Sequence, residues 1–254
     1  MASISLHNAG LFEQIKKMAE DLRDALEKER WLAIEKEKLG AYIPRHVVDE
    51  ISRNREQKLA LGGKTARVTI LFSDIEGFTR LSEALEPQRV VSFLNEYMTA
   101  MVKVIEEEGG ILDKFIGDGI MAIFLSQNGH GDHALRAGRA GVRMQRRLAG
   151  LKRDWAVTRP EVAQLLVRIG INTGEVVAGN IGAETRMDYT VIGDNVNLAA
   201  RLQSHGRGGE VHVSEAVYRE VKDAVLAREL GSITVKNRVQ PVQVYAVDLD
   251  HLDA

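Results

Sequence analysis

The stretch ARVTILFSDIEGFT, residues 66–79, decides the fold. Its first eight residues are β-rich and almost continuously apolar, so Ala66–Ser73 is read as a buried central strand. The run stops on Asp74. A carboxylate there needs compensation, because leaving a buried charge unpaired costs on the order of several kcal/mol. It either caps the next helix or faces a cation. Glu76-Gly77-Phe78-Thr79 follows and opens a short helix. Free N–H groups at a helix start attract anions, which makes Gly77, Phe78 and Thr79 a candidate phosphate cradle.

Downstream of this strand the pattern alternates. Pro87–Glu108 is an amphipathic helix with Val90, Leu94, Tyr97, Met98, Met101 and Ile105 on one face, stopped by Gly109-Gly110. Residues 111–117 and 119–125 form a hairpin meeting at Asp118-Gly119. A polar loop with His130, Asp132 and His133, read as solvated, leads into a helix over roughly 132–152. Its basic residues, Arg136 to Arg153, read as a solvated face. Leu165–Ile171 and Val176–Ile181 are strands around a Thr173-Gly174 turn. Tyr189–Ile192 runs into a helix over about 194–204. Val211–Val213, a helix over about 214–223 and strands around 232–236 and 242–247 complete the pattern. The fold class is α+β, an antiparallel sheet with helices on one face. Trp31, in a charged helix, and Trp155, in a loop, read as packing residues.

Upstream of residue 65 the composition changes. Residues 11–39 carry charge runs with no proline or glycine, and Leu11, Ile15, Met18, Leu22, Ala25, Leu32 and Leu39 trace a heptad seam. Glu29 and Lys36 occupy two a positions. A lone amphipathic helix or a parallel two-stranded coiled coil fits this pattern, the coil being the sharper reading. The domain division follows: 1–45 an N-terminal signalling helix, 46–64 a connecting helix and linker ending in Leu61-Gly62-Gly63-Lys64, and 65–250 a catalytic-type domain.

Bulk properties narrow the functional classes. With 254 residues and no cysteine, disulfides, thiolate metal sites and a cysteine nucleophile are excluded. A net charge of −2 provides no basic field for nucleic acid. No window approaches the 18 or so apolar residues of a membrane span, and residues 1–10 lack a signal-peptide core. The expectation is a cytoplasmic protein.

The polar candidates outside Asp74 are few. Asp118 sits at the hairpin tip, where turn chemistry alone could place it. Together with Asp74 it suggests an oxygen-ligand site for Mg2+ or Mn2+. Lys114, four residues earlier, leaves the same strand face about 13 Å away, so the two cannot grip one atom. Asn197 and Arg201 project from one helix face at i, i+4, and Arg is well shaped to clamp phosphate.

FSDIEGFT (72–79), LDKFIGDGIMAIF (112–124), VRIGINTGEVVAGNIG (167–182) and YTVIGDNVNLAARL (189–202), in this order, resemble the class III adenylate and guanylate cyclase catalytic domain. The resemblance implies a ferredoxin-like domain that pairs head-to-tail into a homodimer with shared active sites. It implies that Asp74, Asp118 and the Ile75 carbonyl bind two divalent metals. It gives Asn197 the role of orienting the ribose and Arg201 that of stabilising the transition state. Lys236 would reach the triphosphate from the partner chain, and Arg186 would be a further phosphate contact. Lys114 and Thr190 match the base-selecting positions. Lysine donates to adenine N1 and threonine accepts from the 6-amino group, which favours ATP over GTP.

Three further expectations follow from the resemblance. The Lys/Thr pairing resembles the class IIIb subgroup, which includes bicarbonate-responsive cyclases. NAGLFEQIKKMAEDL looks like the tail of a GAF sensor, so an upstream sensor domain is expected in the full-length protein. The implied reaction is attack of the ribose 3′-hydroxyl on the α-phosphate, giving cyclic AMP and pyrophosphate. The alternatives are a guanylate or mixed-specificity cyclase, and a non-catalytic dimerisation or relay module. A diguanylate cyclase is disfavoured because the hairpin tip reads GDG.

Overall fold

The computed structural model describes residues 2–40, 60–126, 131–234 and 241–249. The chain divides into two units, Met1–Gln57 and Lys58–Ala254. In the first, α1 runs from Ala2 to Gly40, longer than the charge pattern suggests. Its seam residues Ile15, Met18, Leu22 and Leu32 are each more than half exposed within one chain. Trp31, read as a packing residue, is also exposed on this helix. Among the described residues no helix is long and apolar enough to cross a membrane.

The second unit begins with β1 (Gly62–Ile75) and continues through α2 (Phe78–Ala84), α3 (Pro87–Glu107), β2 (Ile111–Ile116), β3 (Gly119–Leu125), α4 (His133–Thr158) and β4 (Val167–Ala183). The sheet order β2-β3-β1-β4, with every neighbouring pair antiparallel, is the ferredoxin-like arrangement of a split βαβ repeat. Beyond it lie β5 (Arg186–Ile192), α5 (Asp194–His205), β6 (Val211–Ser214), α6 (Glu215–Val221), β7 (Ala227–Ile233) and β8 (Val242–Val247). β6 joins β4 in parallel and continues through β8 to β7, while β5 folds back on β4.

Helices cover both faces, not one. α3 and α4 bury Phe93, Tyr97, Met101, Ile105, Leu148 and Trp155, and α6 adds Val217 and Val221, against Leu71, Ile75, Ile169 and Val213. Each large side chain removed from water there contributes about 1.5–3 kcal/mol. α3 starts with Pro87 in its first turn and stops where Gly109 takes a left-handed φ of 68°. Trp155 lies in α4, not a loop, and meets Phe93 edge-on. α5 packs on the opposite face, through Ala199 against Val68, Ile70 and Met121.

Several local expectations change. Gly62–Lys64 is strand, not linker, paired with Ala178–Asn180. The close approach requires glycine: a Cβ on Gly179 would stand 2.1 Å from the Gly62 carbonyl oxygen. The Thr173-Gly174 pair is no turn but the middle of the single strand β4, and the seventh strand starts earlier, at Ala227. His133 is buried and bonded to Thr69 at 2.7 Å, while Asp132 stands at the start of α4, makes no capping side-chain bond and pairs with Arg136; His130 lies outside the described residues. The first half of the basic face of α4 is likewise paired. Arg136 donates to the carbonyls of Leu125 and Gly109, and Arg139 and Arg143 pair with Glu108.

Candidate active site

Two polar clusters stand on the α5 side of the sheet. The first forms where β1 ends. Asp74 lies opposite Arg168 in the β1–β4 register, and Arg168 Nη2 donates to Asp74 Oδ2 at 2.6 Å. Gln203 Nε2, from α5, reaches the same oxygen at 3.4 Å. Asp118 arrives from the β2–β3 hairpin. The two turn residues are Gly117 and Asp118, since Ile116 pairs with Gly119, and Gly117 supplies the positive φ of 62° that such a turn needs. Asp118 Oδ2 accepts the Ile75 N–H at 3.1 Å. Gly119 lies against the end of β1: a Cβ there would be 3.0 Å from the Ser73 carbonyl oxygen and 3.7 Å from Asp74 Oδ1.

The two carboxylates therefore crowd each other. Burial, followed by the negative charge of Asp74, pushes the Asp118 carboxyl up to about 6. Beneath them Tyr97 is fully buried, and its phenol is raised by burial and by both carboxylates. Among the described residues no group of three or more His, Cys, Asp or Glu gathers anywhere. A site of two carboxylates with a neighbouring backbone carbonyl suits a hard cation that keeps water and substrate phosphate in its remaining positions. The donor set fits Mg2+ or Mn2+, and the mutual repulsion of the carboxylates is what a bound cation would relieve.

The second cluster is built on an irregularity. β2 slips by one residue against β3 between Leu112 and Lys114, leaving Asp113 as the extra residue of a bulge. Regular pleating would send Asp113 and Lys114 to opposite faces. Instead Lys114 Nζ lies 3.5 Å from Asp113 Oδ2, and Thr190 Oγ1 donates to the same oxygen at 2.9 Å. The Asp113 side chain has no exposure, and its Oδ1 is buried without a partner among the described residues. Burial pushes its carboxyl up, and the Thr190 and Lys114 contacts pull it down. Lys114 and Asp118 do not share a strand face as expected, because β2 ends at Ile116 and Asp118 lies in the turn, in the first cluster.

α5 supplies the remaining groups. Its entry is fixed by Asn195, which accepts from Asn172 Nδ2 and donates to the Glu175 carbonyl. Gly174 makes room, since a Cβ there would lie 2.4 Å from the Asn195 amide. About two turns on, Gly170 lets the helix approach β4: its Cβ would meet Gln203 N at 2.1 Å. On this anchored helix Asn197 is exposed and Arg201 half-buried. Neither side chain hydrogen-bonds or ion-pairs within the described residues.

The other sequence-derived candidates are placed as follows. Gly77 is left-handed, φ 75°, and Phe78 and Thr79 open α2, with Phe78 tilted against Phe93 at 6.3 Å. Arg186 is exposed at the start of β5. Lys236 lies outside the described residues. Sequence reading missed Arg168, Gln203 and Asp113. For Arg168 and Asp113 the only signal is a charged group beside apolar strand residues, and strand register tells where each points; Gln203, in the polar stretch RLQSH of α5, carries no such signal. The large groove of about 820 Å3 lined by Glu96, Lys103, Arg143 and Arg147 lies between α3 and α4 and contains none of these groups.

Residues 63–248 match the family model described as Adenylate and Guanylate cyclase catalytic domain. The chain is 36% identical over 214 residues to an adenylate cyclase of Anabaena cylindrica, covering 81% of this chain and 42% of that protein. It thus spans under half the length of that relative. Two solved structures are each 41% identical. The adenylyl cyclase CyaB from P. aeruginosa has a TM-score of 0.71, covering 74% of this chain and 96% of that one. The guanylyl cyclase Cya2 has a TM-score of 0.68, covering 74% and 94%. With matching motifs, topology and likeness over most of its length, the chain belongs to the class III adenylate and guanylate cyclase catalytic-domain family.

Proposed function

We propose that this domain is an adenylate cyclase, converting ATP to 3′,5′-cyclic AMP and pyrophosphate in active sites shared across a homodimer. The observation that carries the reading is the joining of Lys114 and Thr190 through Asp113. One long donor and one short hydroxyl stand side by side, the complement of the N1 acceptor and 6-amino donor of adenine. Overall likeness does not decide the base, since the adenylyl and guanylyl cyclase structures are equally identical to the chain. The pocket residues favour adenine.

In this reading one chain carries two half-sites. Asp74, Asp118 and the Ile75 carbonyl would hold the divalent cations, which when bound activate the ribose 3′-hydroxyl and neutralise the phosphates. Lys114 and Thr190 of the other chain hold the base. Asn197 aligns the ribose so that its 3′-oxygen faces the α-phosphorus, a contribution of proximity. Arg201 meets the charge that grows on the α-phosphate as pyrophosphate leaves, a contribution on the order of 3 kcal/mol for one preorganised donor. The N–H groups around Gly77, Phe78 and Thr79, with Arg186 and Lys236, bind the departing phosphates.

The exposed seam of α1 supports a parallel coiled coil with a second copy, relaying a signal from an upstream sensor. Bicarbonate stimulation and a cytoplasmic setting belong to the same reading. Product analysis with ATP and GTP, under Mg2+ and Mn2+, with and without bicarbonate, tests the activity. Asp74→Ala and Asn197→Ala should each be inactive, and mixing them should restore one site per dimer. Persistent inactivity after subunit exchange would refute the shared site, and cyclic GMP as the main product would refute the base assignment.

A further inference from the structure

We infer that Asp113 is a positioning residue that fixes the hydrogen-bond polarity of Thr190 and the placement of Lys114, so that the pocket accepts an amino-bearing purine edge and refuses a carbonyl-bearing one. The inference rests on the adenylate cyclase reading and deepens it, since it identifies what makes two ambiguous side chains selective.

A threonine hydroxyl has one hydrogen and two lone pairs, so alone it can serve either an amino group or a carbonyl. Here the hydrogen is spent. Thr190 Oγ1 donates to Asp113 Oδ2 at 2.9 Å, with both residues buried, which leaves the hydroxyl only lone pairs to offer. It can accept from the 6-amino group of adenine and has nothing to donate to the 6-carbonyl of guanine. Lys114 is tethered to the same oxygen at 3.5 Å while 38% of its side chain remains exposed. Its remaining protons suit adenine N1, an acceptor, and oppose guanine N1, which carries a hydrogen.

Burial makes the arrangement one-way. The Asp113 side chain is fully enclosed and Oδ1 has no partner among the described residues, so the carboxylate does not turn toward solvent and stays on Thr190 and Lys114. Holding an incompletely satisfied carboxylate away from water is costly. A purely structural role would be served better by an apolar residue, because Asp113 is itself the one buried position of β2, in a ladder its bulge interrupts.

The test uses binding as well as turnover. In the full chain, affinities for 3′-deoxy-ATP and 3′-deoxy-GTP, which cannot cyclise, are measured by calorimetry beside kcat and KM for ATP and GTP. Wild-type preference for GTP would sink the adenylate reading itself. With ATP preferred, Asp113→Asn should lower the ATP-to-GTP affinity ratio by about tenfold, mainly through KM, because its amide can donate to Thr190 as well as accept. Loss of the same factor for both nucleotides, with the ratio unchanged, would overturn the inference in favour of a structural role. In a Thr190→Val background the ratio should respond several-fold less to Asp113→Asn, and an undiminished response would also overturn it. If Asp113→Asn does not fold, Asp113→Glu, which keeps the charge but displaces the oxygen, should move the ratio in the same direction, and an unchanged ratio would again refute the inference.

Discussion

Arg168 and Asp74 face each other across the β1–β4 pairing, joined at 2.6 Å on the oxygen-rich side of the candidate metal site. A guanidinium so close to a cation site opposes the cation's charge while holding one of its ligands. Arg168→Gln is therefore expected to tighten Mn2+ binding several-fold by Coulomb's law, and to lower metal-free stability by about 1 kcal/mol. Mn2+ titration followed by electron paramagnetic resonance, with urea unfolding in chelator, checks both. Weaker Mn2+ binding would mean that Arg168 acts chiefly by orienting Asp74.

Asp118 gives a pH signature. Its carboxyl is pushed up to about 6, so the fold keeps a proton that the unfolded chain releases near 4. Metal-free protein should lose stability as pH rises from about 4 through 6 and stay lower above that window. Asp118→Asn should be the more stable form at pH 7.5 in chelator, with the advantage gone at pH 4. Adding Mn2+ should reverse the order at pH 7.5. Urea titrations at the two pH values, with and without metal, test the sign.

His133 predicts the opposite slope. It belongs to a buried chain in which Thr69 donates to Thr173 at 3.0 Å and Thr173 to the Val68 carbonyl at 3.2 Å, which casts His133 as donor to Thr69. Burial is the main cause lowering its pKa, with Arg67 and Arg136 acting in the same sense and Glu220 and Asp132 against it. Stability should be complete above pH 6.5 and decline as pH falls below it, because only the unfolded imidazole protonates freely. His133→Gln should flatten this acid limb, measured as the midpoint of urea unfolding between pH 5 and 7.5.

Gly170→Ala tests how α5 is held. The new methyl would stand 2.6 Å from the Ala199 carbonyl oxygen and closer still to the Gln203 amide, both backbone atoms that cannot swing away. The helix must move off β4, at a cost of about 2 kcal/mol or more. Asn197 and Arg201 would move with it. Turnover should fall far more than nucleotide affinity, measured as kcat against the Kd of 3′-deoxy-ATP.

The sequence was most legible where structure is periodic. The apolar run of β1 and the spaced face of α3 lie where they were read, because burial imposes those periods. The misreadings are non-local. Gly174 looked like a turn residue, yet its role is to admit Asn195, which stands twenty-one positions later. His133 looked solvated because nothing nearby says that Thr69 covers it. Asp74 and Asp118 stood out as acids at element ends, but Arg168 enters their cluster only through a register that pairs residues nearly a hundred positions apart. Asp113 was hidden by the assumption of an unbroken pleat.

One inserted residue in β2 thus determines which way a lysine points. Deleting it would restore the ladder and remove the carboxylate that joins Lys114 to Thr190. Transplanting the Lys/Thr pair onto a relative whose corresponding strand is straight should consequently fail to transplant the preference. In the proposed pocket nucleotide choice would be written partly in backbone geometry, and a comparison of side-chain identities at positions 114 and 190 would read only half of it.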